Sequence, residues 1–176
     1  MKAWLEPILN AVDAEVVVSD DADAFKKVSD KTGRSQQVCK SHVGRNTEDL
    51  VEELSAIIRE GQDHSLQAIQ VSPERALEDL ACLKAMIHSR RPEDQACLEG
   101  IYLRYAQARK PGKGKKHDVA FRIRNLFMDR WNLWPRLTFY RNWKDEDGNE
   151  IIDGTNNHCE RAIGWWIKER YRSMRG

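Results

Sequence analysis

The sequence predicts a helix-dominated α/β protein, and three observations carry that prediction. Two short strand-like runs, E-V-V-V-S at 15–19 and S-Q-Q-V-C at 35–39, flank a helical pattern. Strand, helix, strand is the signature of an α/β unit. No strand signal follows between about residues 47 and 130, where apolar residues recur at helical spacing. A polar turn, D-G-T-N-N-H-C-E at 153–160, then opens one last helix. The predicted organisation is an α/β segment over 1–45, an α-helical insertion over 46–150 and a closing helix over 151–176.

Residues 3–11 read as the end of a helix, with Pro7 marking a kink or a late start. The β-branched run at 15–19 reads as a buried strand. Phe25 and Val28, three apart, give the next helix its apolar face, and Gly33 ends it. Thr47 reads as the N-cap of a helix over 47–60, with Leu50, Leu54, Ile57 and Ile58 facing inward. Ser72 and Pro73 are cap and first helical residue of a helix over 72–87. R-P-E-D repeats the proline start for 91–105, and a further helix is predicted over 117–131. The aromatic-rich stretch 131–143 reads as irregular and 144–150 as a polar loop. The last helix runs to about Met174.

Composition excludes several classes. At 176 residues, 40% hydrophobic and 32% charged, the chain is in the globular range. It contains no run of eighteen apolar residues, so no membrane span is predicted. The N-terminus does not read as a signal peptide. Cys39, Cys82, Cys97 and Cys159 lack disulfide-framework spacing, which predicts a reduced, cytoplasmic setting. The net charge of +1 hides an asymmetry: residues 104–124 hold eight Lys/Arg and one acid. Arg109, Lys110, Lys113, Lys115, Lys116, Arg122 and Arg124 therefore form a candidate DNA-binding surface. A solvated helix face accounts for the same charges.

Three motifs hold candidate site residues. In S-D-D-A-D (19–23), carboxylates lie just past the C-terminal end of a strand, where ligands of α/β folds gather. Asp20 and Asp21 are adjacent, so they point in different directions and only one aims at a given ion. A plain turn would also use these residues. Cys39-Lys-Ser-His42 has zinc-ligand spacing, but partners for a four-ligand site are scarce, so a packed Cys39 and a hydrogen-bonded His42 are expected. In T-N-N-H-C-E, Asn157 is a good N-cap and Glu160 falls at the third helical position, a capping box. Glu160 also shares a face with Ile163, Ile167 and Tyr171, and a carboxylate on a packed face needs a partner. Hard carboxylate oxygens suit Mg²⁺, and paired metals suit phosphoryl transfer.

V-V-V-S-D-D-A-D-A-F-K-K-V, then Q-V-C-K-S-H-V-G-R-N, then D-G-T-N-N-H-C-E-R-A-I resemble, in that order, the second half of a bacterial insertion-sequence transposase of the DDE type. The resemblance implies a partial RNase H-like fold interrupted by a helical insertion, with Mg²⁺ (or Mn²⁺) as cofactor. It also implies cleavage and strand transfer on DNA in the bacterial cytoplasm, by a homodimer of the full-length protein. Asp20 then matches the family's second acid, with Asp21 as the alternative, and Glu160 matches the third; both would be catalytic metal ligands. Cys39, His42, Asn157, His158 and Arg161 are structural or near-site positions, and Trp131 or Trp134 matches a tryptophan late in the insertion. The family's first Asp lies on a strand well upstream, so the isolated chain is expected not to catalyse transposition. The rival is a non-enzymatic helical module binding nucleic acid or protein, in which Asp20 and Glu160 are only caps. The transposase reading expects their carboxylates about 5–8 Å apart, bridged through metals.

Overall fold

Two parallel strands and seven α-helices make up the described part of a computed structural model, which covers residues 5–11, 14–112, 117–155 and 165. Helix α1 (Leu5–Ala11) leads into β1 (Val16–Ser19), α2 (Asp23–Thr32) and β2 (Ser35–Val38). The strands pair in parallel, Val16 with Ser35 through Ser19 with Val38. A parallel pair needs a crossover, and α2 supplies it. Gly33 closes α2 at φ 67°, and its N–H reaches Ser29 O. Arg34 ties β2 back to α1: its Nε donates to Ala14 O at 2.7 Å and its Nη2 to Asn10 Oδ1 at 2.9 Å. Val16–Val18 are half-buried, not buried as the run of valines predicts.

The helical block follows as α3 (Lys40–Glu60), α4 (Ser65–Ala68), α5 (Pro73–Ser89), α6 (Asp94–Arg104) and α7 (Val119–Leu137). α5 packs on α3, α6 packs on α7, and α7 also touches α3 and β2. Leu54, Leu80, Leu83, Ile87, Leu98, Ile123 and Phe127 fill the centre. Ser72 caps α5 as expected, accepting from Arg75 N at 3.2 Å, with Pro73 behind it.

Two predicted helix starts move. α3 begins at Lys40, so Thr47 is an interior residue and a single helix crosses the expected boundary at 45/46. Its hydroxyl donates to Val43 O at 2.6 Å, the back-bond that lets threonine sit inside a helix. α6 begins at Asp94, with Pro92 in the turn before it.

The aromatic stretch read as irregular is mostly helix. α7 continues to Leu137, with Pro135 inside it, before a 3₁₀ turn at Phe139–Arg141. Trp134 and Leu137 are fully buried, so packing favours the continuation. Proline removes the N–H that would reach the carbonyl four residues back. That carbonyl, on Trp131, accepts instead from Gln95 Nε2 at 3.3 Å. The polar loop at 144–150 closes through a Lys144–Glu150 bridge. Of the last predicted helix only Trp165 is described, in helical conformation.

The start of α7 is satisfied by side chains. Asp118 Oδ1 accepts from Phe121 N, Ser65 Oγ from Ala120 N and Asp63 Oδ2 from Val119 N, all within 3.0 Å. Asp63 Oδ1 also accepts from Ser65 N at 2.8 Å. Burial pushes the Asp63 carboxyl up, but hydrogen bonds from Ser65 and Val119 outweigh it and hold the group below the usual range. A lowered folded value means stability that is present above about pH 4 and lost as pH falls through that value. Asp63→Asn is expected to cost about 1 kcal/mol at pH 7. In urea titrations the difference from wild type should shrink below about pH 4.

Candidate functional site

The site grows from the C-terminal end of the parallel pair. Cys39 N donates to Ser19 O at 2.6 Å, which holds the two strand ends together. Ser19 Oγ accepts from Gln36 Nε2 at 2.8 Å and donates to Asp20 O at 3.0 Å. The next two residues diverge, as adjacent residues must. Asp20 is exposed, and its Oδ1 turns back to accept from Ala22 N at 3.2 Å, a local turn at the start of α2. Asp21 is half-buried and faces a cleft of about 440 Å³. Asp23 lies in the first turn of α2, whose cap position is Ala22.

Asp21, Lys26, Asp129, Arg130 and Arg136 line this cleft. Lys26 Nζ lies 2.6 Å from Asp21 Oδ1. Arg130 is buried, and its Nε donates to Thr47 Oγ1 at 2.7 Å, which fixes the guanidinium between α3 and the cleft. Burial pushes the Arg130 value down, while Asp21 and Asp129 pull it back up. The Asp129 carboxyl is pushed up, first by the protein crowding it and then by Asp21, against the attraction of Arg130. Arg136 spans the rim, donating to Gln36 Oε1 and Asp30 Oδ1 at 2.7 Å each.

The second half of the site arrives from far along the chain. Gly154 O accepts from Lys40 N at 2.9 Å, one residue after the Cys39–Ser19 bond. The D-G-T turn is thereby docked on the strand ends from which Asp20 and Asp21 emerge. Asp153 Oδ1 accepts from Thr155 N at 2.8 Å, which shapes the turn. Gly154 has φ 71°, and a Cβ there would meet Tyr140 Cδ1 at 2.9 Å. Tyr140 is held in turn, since its N–H donates to Gln37 Oε1 at 2.8 Å. Gln37 is fully buried and its Nε2 also reaches Leu137 O at 3.0 Å, so β2, α7 and the 3₁₀ turn share one amide.

Glu160, Asn157, His158 and Arg161 lie outside the described residues, as do Lys113, Lys115 and Lys116. Cys39 is fully buried just before α3, and His42 is half-buried in its first turn. Among the described residues no three His, Cys, Asp or Glu side chains gather to hold a metal. Of the basic candidates, Arg109 and Lys110 are exposed. Arg122 is tied to Glu53 at 2.7 Å, and Arg124 lies over the Tyr102 and Phe121 rings. Trp134 is buried, with its Nε1 donating to Arg91 O at 2.8 Å, and Trp131 stacks on Tyr102.

Lys26, Asp129, Arg130 and Arg136 were not legible as site residues. They sit among the charges of ordinary helices: Lys26 reaches Asp21 from α2, and only the packing of α7 across the strand ends brings Asp129, Arg130 and Arg136 there. Asp21 and Asp129 both line the cleft and offer carboxylate oxygens of the kind Mg²⁺ takes, with Lys26 on Asp21 and the Arg130 charge beside both. No helix among the described residues is long and apolar enough to cross a membrane. The chain matches no protein-family model, no curated protein and no solved structure.

Proposed function

We propose that this chain is the C-terminal part of a DDE-type transposase on an RNase H-like fold, supplying the second and third acids of a site that cuts and joins DNA strands with Mg²⁺ or Mn²⁺ in the bacterial cytoplasm, and that the chain alone does not catalyse the reaction. The observation that carries the reading is the Lys40 N–H to Gly154 O bond. It brings the turn five residues before Glu160 to the same strand ends that present Asp20 and Asp21. Asp21 is the better-placed ligand, because it faces the cleft while Asp20 bonds its own turn. Asp21 and Glu160 would hold the cation, which when bound supplies Lewis-acid activation of the attacking and leaving oxygens. Arg130 and Lys26 would steady the scissile phosphate. Arg109 and Lys110, with Lys113, Lys115 and Lys116 beyond them in sequence, would track the DNA backbone.

Mn²⁺ titration followed by electron paramagnetic resonance tests this. The expected result is saturable binding that Asp21→Asn and Glu160→Gln each weaken at least tenfold, with Asp20→Asn close to wild type. Binding indifferent to Glu160→Gln would overturn the transposase reading. It would favour the helical binding module, which the Lys26–Asp21 ion pair already accommodates without metal.

A further inference from the structure

Free cysteines at helical spacing are expected in the core, yet Cys82 and Cys97 are both exposed. Cys82 lies on α5 and Cys97 on α6. Cys97 is near enough to act on the Cys82 thiol. Both open onto one cleft of about 500 Å³, which Arg75, Asp79, Gly100 and Arg104 also line. The seam they occupy is thin: α5 packs chiefly on α3 and α6 chiefly on α7. Across it run the bonds that Asp79 accepts from Arg104 and Tyr105. A covalent link here would join the α3–α5 and α6–α7 pairs, just ahead of the basic stretch.

We infer that Cys82 and Cys97 are a redox-sensitive thiol pair that closes to a disulfide with a two-electron oxidant such as hydrogen peroxide, strapping α5 to α6. One thiolate attacks a peroxide oxygen, the O–O bond breaks and hydroxide leaves, giving a sulfenic acid. The second thiol attacks that sulfur, the S–S bond forms, and the sulfenic oxygen leaves as water. Two thiols lose two electrons and two protons; one peroxide becomes two waters. The surroundings of Cys82, then Cys97 itself, push the Cys82 thiol up, which suits Cys82 to the second, resolving step. Exposure gives the oxidant access, and a reducing cytoplasm reverses the bond.

The test uses the full chain with hydrogen peroxide, read by peptide mass spectrometry and thermal unfolding. Trypsin places Cys82 in the peptide 76–84 and Cys97 in 91–104, so a disulfide between them links two separable peptides. The expected product is that linked pair in monomeric protein, with a melting temperature about 5–10 °C above the reduced form and reversed by dithiothreitol. Cys82→Ser and Cys97→Ser should each fold as wild type and lose the shift, and Cys82→Ser should carry its oxidation at Cys97. Linkage chiefly to Cys39 or Cys159, linkage between molecules, or an unlinked Cys82 and Cys97 after oxidation would overturn the inference. It stands apart from the transposase reading, since no metal or DNA enters it.

Discussion

Replacing Asp79 with alanine is expected to lower the unfolding free energy by about 3 kcal/mol, the larger stability effect among the variants considered. Asp79 is 1% exposed on α5 and has two hydrogen-bond donors and a further ion-pair partner. Arg104 Nε reaches it at 3.0 Å, Tyr105 Oη at 2.9 Å and Arg75 Nη2 at 3.2 Å. The arginines reach water and can be solvated when the acceptor goes, which keeps the cost at the low end for a broken buried ion pair. Tyr105 cannot: it is fully buried, and its hydroxyl would lose its acceptor. Asp79→Ala with Tyr105→Phe should therefore recover about 1 kcal/mol relative to Asp79→Ala alone. Burial first, and Asp79 second, push the Tyr105 hydroxyl far above the ordinary tyrosine range. A raised folded value means stability that is whole below about pH 10 and lost as pH rises beyond it. Tyr105→Phe should flatten that alkaline loss. Urea unfolding measures all three, and a cost under about 1 kcal/mol for Asp79→Ala would show that the seam does not depend on this carboxylate.

Much of the scaffold was legible because local rules agreed with the final packing. The strand–helix–strand unit, the Gly33 stop and the Ser72–Pro73 start all depend on neighbours within a few residues. What was missed depends on partners far away. Thr47 has the chemistry of a cap, but Arg130, eighty-three residues on, is the partner its hydroxyl accepts from. Pro135 should end a helix, but Gln95 takes over the carbonyl it orphans. Cys82 and Cys97 lie within helical patterns where free cysteine usually packs inward, yet both are exposed. The site follows the same division. The strand-end acids were visible at Asp20 and Asp21, but which of them faces the cleft was set by Lys26 and by α7, whose Asp129 and Arg130 complete it.

Gly154→Val is expected to undock the return turn while leaving the helical block folded. Valine at φ 71° carries about 1–2 kcal/mol of backbone strain. Its Cβ would also lie 2.9 Å from Tyr140 Cδ1, on a ring whose backbone Gln37 fixes, and forced overpacking of that kind costs about 1–3 kcal/mol. Together these exceed the net worth of one backbone hydrogen bond, about 1 kcal/mol, so the Lys40–Gly154 bond should be the part that yields. Amide exchange at Lys40 reports this directly, with protection falling about 30-fold or more. Tyr140→Ala in the same chain removes the clash but not the strain, and should restore part of that protection. The melting temperature should move little, because the turn lies at the margin of the core. If Glu160 closes the cation site from this turn, Gly154→Val should also weaken Mn²⁺ binding as far as Glu160→Gln does. Unchanged Lys40 protection would mean the turn is anchored by something other than this bond. Lost protection with unchanged Mn²⁺ affinity would separate the docking from the metal and leave the turn a purely structural clasp.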